Sequence, residues 1–125
     1  MGNSLSQRLN QIYQDLGEVR ILEIVEKLYK VMAEDTMIGF FFTGRDLKLI
    51  SRKQTDFLLR AMGATQSYSG KAPSTAHADL PPIRLGQFNR RIQLLMFVLN
   101  SQGVSPEHTK TWVEFERSFE KAIVG

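Results

Sequence analysis

No cysteine occurs in this chain of 125 residues. That absence excludes a disulfide framework, a zinc–cysteine site and a thiolate-held metal centre. No apolar run approaches the roughly 20 residues that a membrane-crossing helix needs. No basic, apolar, small-residue leader opens the sequence either. These absences lead us to expect a cytoplasmic protein. Charge of one sign is also missing as a block. The 16 basic and 13 acidic residues give a net charge of +3, and the basic ones are scattered. A nucleic-acid surface would need a concentrated basic patch with interleaved aromatics. Arg52-Lys53 and Arg90-Arg91 are the only basic doublets, and solvated faces explain them.

What is present is ordinary for a globule, with 42% hydrophobic and 23% charged residues. The length suits a single domain spanning 1–125 with a real core. The opening MGNSLS sets Gly2 and Ser6 in the myristoylation pattern. Six-residue patterns recur by chance, and we read this one as chance.

Apolar spacing predicts helices along most of the chain. A short helix over about 5–15 ends before Leu16-Gly17. From 18 to 34, Ile21, Leu22, Val25, Leu28, Tyr29 and Met32 fall on one helical face. Ile38-Gly39-Phe40-Phe41-Phe42 has no second strand candidate to pair with, so a tight helical turn pressing a phenylalanine inward fits better. Gly44 and Asp46 supply a turn and an N-cap. Over 47–62, Ile50, Phe57, Leu58 and Ala61 define an inner face. Over 85–101 the buried face is Phe88, Ile92, Leu95, Met96 and Leu99, and Gly103 stops the helix. Ser105-Pro106 opens a last helix to near Val124, with Trp112, Phe115, Phe119 and Ile123 inward. His108 falls off that stripe and reads as a surface residue. Four substantial helices, two small ones and no sheet make the fold class all-α.

Two polar tips interrupt these apolar faces. Tyr29 lies within the first stripe, and a buried phenol needs a hydrogen-bond partner. Gln54 takes the vacant i+4 position between Ile50 and Leu58. An unpaired amide there would cost about 1–3 kcal/mol. The two are either bonded to each other as a structural pair or aimed at a bound polar ligand.

Between two helical stretches lies SYSGKAPSTAHADLPPI, residues 67–83, an irregular segment rich in Gly, Ser, Ala and Pro. Compact domains seldom keep such a length without a functional reason or disorder. Pro73 opens a brief turn toward His77, and Pro81-Pro82 ends it. Imidazole is the commonest metal ligand among side chains and the usual proximal ligand of haem iron. On this segment alone, His77 is either a solvated loop histidine or such a ligand.

Taken together, four pieces resemble the truncated haemoglobins, the two-over-two globins. They are LGEVRILEIVEKLYKVM, IGFFFTGRDLKLISRKQTDFL, SYSGKAPSTAHADLPPI and the apolar pattern from Phe88. The resemblance runs from about Ile12 to the end and keeps the family's Tyr29–Phe42–Gln54–His77 separations. It implies a two-over-two helical sandwich around haem b, with His77 as the proximal iron ligand. Phe42 would pack on the haem face, with Tyr29 and Gln54 on the distal side. Lys53, Tyr68 and Lys71 would reach the propionates, and Phe57, Met62, Ile83, Phe88 and Ile92 would supply apolar wall. Ile50 stands where many globins carry a distal histidine and cannot ligate iron. ADLPPI looks like the family's third subgroup, whereas Gln54 and the Gly63 region look like the first. Arg91 replaces a tryptophan common in two subgroups and either pairs with a propionate or snorkels to solvent.

The resemblance further implies binding of dioxygen, nitric oxide and carbon monoxide. A phenol and an amide can both donate to the negative charge that dioxygen gains on ferrous haem, at roughly 1.5–3 kcal/mol each. Slow release suits oxidation of nitric oxide to nitrate better than oxygen delivery. Turnover would need an external reductase, since no flavin or nicotinamide motif is present. A gas sensor or ligand store without turnover is the alternative.

Overall fold

The computed structural model describes residues 4–64 and 82–125. Among the described residues the named elements are all helical, and one parallel bridge joins Ile83 to Val124. The first helix, α1, spans Leu5–Glu34. Ser4 and Gln7 form a reciprocal capping box at its start, at 3.1 and 2.9 Å. The two segments expected on either side of Leu16-Gly17 are both present in it and meet at a kink at the glycine. Gly17 has φ 81° and ψ 164°, a conformation essentially reserved for glycine.

Asp35 caps the end of α1 and fixes the next turn. One carboxylate oxygen accepts from the backbone N–H groups of Met37 and Ile38, at 3.0 and 3.2 Å. The expected tight turn is a 3-10 helix over Gly39–Phe42. Gly39 is required by close approach, because a Cβ there would meet the Ala33 carbonyl oxygen at 2.6 Å. Asp46 then caps α2, Leu47–Ala61, by accepting from the Leu49 N–H.

The third helix, α3, spans Leu85–Ser101, and Gly103 leaves it at φ 75°. Ser105 accepts from the His108 N–H at the start of α4, Pro106–Arg117, with proline in the first turn. The last helix stops earlier than its periodicity predicts. Ser118 Oγ donates to the Phe115 carbonyl at 2.5 Å, a local bond that competes with the helix ladder. A one-turn helix, α5, Glu120–Ile123, follows. Phe119 and Ile123 are only half-buried.

Helices α1 and α2 pack on one another, and α1 also meets α3 and α4, which pair together. The result is two helices over two. Ile12, Ile21, Ile24, Leu28 and Met32 of α1 fill the centre with Leu58, Leu59, Leu95, Leu99 and Trp112. Met96, expected inward, is 43% exposed; Leu94 and Val98 take the buried positions of α3. His108 is not a simple surface residue. Its Nε2 lies 2.7 Å from Asp15 Oδ2, joining α4 to α1 across the chain. Among the described residues no helix is long and apolar enough to cross a membrane.

Candidate functional site

The polar centre of the site begins at Tyr29 on α1, which is 7% exposed. Its ring meets Phe42 of the 3-10 turn edge to face, with centroids 5.7 Å apart and planes at 85°. On another side Arg91 of α3 places its guanidinium carbon 5.8 Å from the Tyr29 ring centre. Arg91 is in turn held by Glu116 of α4, at 3.3 and 3.2 Å from its Nη2 to the two carboxylate oxygens. Its Nη1 lies 3.5 Å from Met32 Sδ. Three helices and the turn therefore bring four side chains together: Tyr29, Phe42, Arg91 and Glu116.

Electrostatics keep this centre in one protonation state. Burial pushes the Tyr29 phenol up from its ordinary range, the nearby Arg91 cation opposes that, and the Glu116 charge adds to it. The phenol stays protonated at neutral pH and remains a donor. For Arg91, burial alone would disfavour the cation. The charge of Glu116 and its hydrogen bonds, with the neighbouring Tyr29, outweigh it, and the guanidinium pKa is raised.

Gln54 is half-buried on α2, and no hydrogen bond joins it to Tyr29. The phenol's polar neighbour is Arg91, so the Tyr29–Gln54 structural pair does not form. Of the α2 face that the sequence marked as inner, Leu58 alone is fully buried. Ser51, Thr55, Leu58 and Leu59 are buried, whereas Ile50, Gln54, Phe57 and Ala61 are half-buried. At 3.6 residues per turn the two lines stand roughly a third of a turn apart. Thr55 Oγ1 donates to the Ser51 carbonyl at 2.8 Å. Ile50 and Phe57 pack against the main cluster from its edge.

The remaining expected site residues divide by position. Phe42 is half-buried, and Phe57 lies 6.0 and 5.6 Å from the rings of Phe115 and Phe119. Phe88 and Ile92 are buried yet stand apart from the main hydrophobic cluster. Met62 belongs to that cluster, and its carbonyl accepts from Asn10 Nδ2 at 2.9 Å. Ile83 is half-buried, and its carbonyl accepts from the Gly125 N–H. Lys53 is exposed. Tyr68, Lys71 and His77 lie outside the described residues. Arg91 does not snorkel to solvent, being 20% exposed and held by Glu116. Glu116 itself was missed. The one available signal was an acidic residue at i+4 from Trp112, on the buried side of α4.

A flat apolar macrocycle with a polar axial ligand fits this arrangement. Phe42, Ile50 and Phe57 offer it half-buried apolar side chains at the edge of the main cluster, and the Tyr29 ring, which meets Phe42, brings a phenol beside them.

Comparison with known proteins points the same way. The family described as bacterial-like globin matches residues 11–124. A group 1 truncated haemoglobin of Tetrahymena pyriformis is 32% identical over 95 residues, covering 75% of this chain and 78% of the relative. The group 1 truncated haemoglobin LI410 of Chlamydomonas moewusii is 32% identical over 91 residues, and the chain spans 53% of that longer protein. Among solved structures, the Fe(III) form of the Tetrahymena pyriformis truncated haemoglobin superposes with a TM-score of 0.82. That match has 27% identity and covers 91% of this chain and 97% of the other.

Proposed function

Because this chain belongs to the bacterial-like globin family, we propose that it holds haem b against α2 and α3 with His77 as the iron ligand, and there binds dioxygen, nitric oxide and carbon monoxide. When bound, haem supplies an iron centre that takes diatomic gases and exchanges electrons with them. The reading is carried by Tyr29, a buried phenol kept protonated and set beside a half-buried apolar face.

Each residue has a defined task. Phe42, Ile50 and Phe57 exclude water and present an apolar surface. Ile50 offers no atom that could ligate a metal. Tyr29 donates its O–H to the partly negative ligand, and Gln54 donates from its amide. Met62, Ile83, Phe88 and Ile92 would complete the wall, and Lys53, Tyr68 and Lys71 are the residues that would hold the propionates. In a site without competing water such donation slows ligand escape.

The chemistry that fits slow escape is conversion of nitric oxide, dioxygen and one electron to nitrate in the cytoplasm. The electron comes from an external reductase, because the chain carries no flavin or nicotinamide motif. That same lack favours a second reading, a gas sensor or ligand store without turnover. Spectra of the hemin-loaded protein in ferric, ferrous and carbonyl forms test the first step. A strong Soret band is expected, and a colourless protein overturns the proposal. Rapid mixing of the oxygenated protein with nitric oxide then separates the two readings. Repeated turnover with a reductase marks an enzyme, and a single cycle marks a sensor or store.

A further inference from the structure

We infer that Arg91 is a positioning residue for Tyr29: anchored by Glu116, its guanidinium lies over the phenol ring and, together with the Phe42 contact, fixes the plane of that ring. Its bearing on gas release rests on the reading of Tyr29 as the ligand's donor.

The χ2 torsion of a tyrosine is broad and two-fold by itself, so neighbours decide the ring plane. Conjugation keeps a phenolic O–H near that plane, and a fixed plane limits the directions in which the hydroxyl donates. Two neighbours act on the Tyr29 ring through its quadrupole. Phe42 meets it at 85° with centroids 5.7 Å apart, the edge-to-face arrangement that aromatic pairs prefer. The Arg91 guanidinium carbon lies over the ring, 5.8 Å from its centre, within the reach of a cation–π attraction. That attraction strengthens when the cation is withdrawn from water, and the Arg91 side chain is 20% exposed. A long cationic side chain usually snorkels to solvent. Here both oxygens of Glu116 hold Nη2, at 3.3 and 3.2 Å, and Met32 Sδ accepts from Nη1 at 3.5 Å. Glu116 stands on α4 and Tyr29 on α1, so the cation is anchored from a different helix than the ring it covers. An apolar side chain at position 91 could fill the same space, but hydrophobic contact is non-directional and would not select the face of the ring.

Removing Arg91 alone would leave a buried carboxylate unpaired, so the test replaces both partners by Leu. The haem-loaded wild type, R91L/E116L, R91K, Y29F and the triple variant are compared. If the Leu pair does not fold, R91M/E116Q, neutral at both positions and closer in shape, takes its place. Flipping of the Tyr29 ring, followed by NMR in the carbonyl form, reads the plane directly, and dioxygen release reads its consequence. In R91L/E116L the ring should flip about tenfold faster and dioxygen should leave about three- to tenfold faster. R91K, still a cation, should keep both rates near those of the wild type. In the triple variant the Leu pair should add nothing to the release rate of Y29F. If Y29F releases dioxygen at the wild-type rate, the reading of Tyr29 as donor fails, and the flip rates still decide the positioning role. Unchanged flipping in the neutral pair overturns that role. So does R91K behaving like the Leu pair, because the charge over the ring would then be immaterial. Faster flipping with unchanged release, or a Leu-pair effect on release that persists without the phenol, overturns the link from ring to gas.

Discussion

Arg91 and Glu116 form an ion pair of 3.2 Å that is largely withdrawn from water and joins α3 to α4 behind the Tyr29 ring. Breaking such a pair leaves one buried charge without its partner, which costs about 3–5 kcal/mol, whereas replacing both by apolar groups is often neutral. Denaturant unfolding should therefore show Glu116→Leu strongly destabilised and R91L/E116L close to wild type. Equal losses in the single and double variants would mean that the pair's packing, not its charge, is what the fold needs.

The two lines of α2 should behave differently. Leu58 is 1% exposed in the main cluster, and Leu58→Ala should cost about 2–5 kcal/mol whether or not haem is present. Ile50 is half-buried, so Ile50→Ala should weaken the haem-free protein less. Its main effect should be faster loss of haem to a scavenging globin. Equal haem loss from the two variants would remove the distinction between the faces.

Gly39→Ala places a methyl group 2.6 Å from the Ala33 carbonyl oxygen. Backbone has to shift to accept it, at a cost of about 1–3 kcal/mol. A melting temperature unchanged from wild type would show that the turn can yield without loss. Because Phe42 lies in the same turn, the substitution should also disturb the Tyr29–Phe42 contact.

Three carboxylates tie the helices in a pH-dependent way. Hydrogen bonds from Arg90, His108 and Arg8 hold Asp35, Asp15 and Glu114 below the ordinary carboxylate range. A lowered folded value means that the unfolded chain binds protons more readily. Their stabilisation is thus complete above the unfolded values near about pH 4, and is lost as pH falls through the lowered folded values. Asp35→Asn should be less stable than wild type at neutral pH, and the gap should close in acid. A constant gap across that range would assign the effect to packing.

Tyr29→Phe should speed dioxygen release by about 10–100-fold, the equivalent of a charge-assisted bond of roughly 1.5–3 kcal/mol. His77→Ala should lose most haem or its five-coordinate ferrous spectrum. Unaltered kinetics in the first variant, or an unaltered spectrum in the second, would reassign that role.

The sequence by itself determined the helices and most of their ends, the break after Arg117 excepted. Asp46, Ser105-Pro106, Gly17 and Gly103 act through local backbone and capping chemistry, which needs no distant partner. Residue type at fixed spacing also singled out Tyr29 and Gln54 as polar tips on apolar faces. Only the tertiary structure decided which apolar face of α2 meets α1. Periodicity records hydrophobicity without naming what covers it, so the line of Ile50 and Phe57 read as core. The partner of Arg91 was likewise beyond the sequence, because Glu116 lies 25 residues away on another helix. Only their packing takes both charges out of water and makes the pairing compulsory.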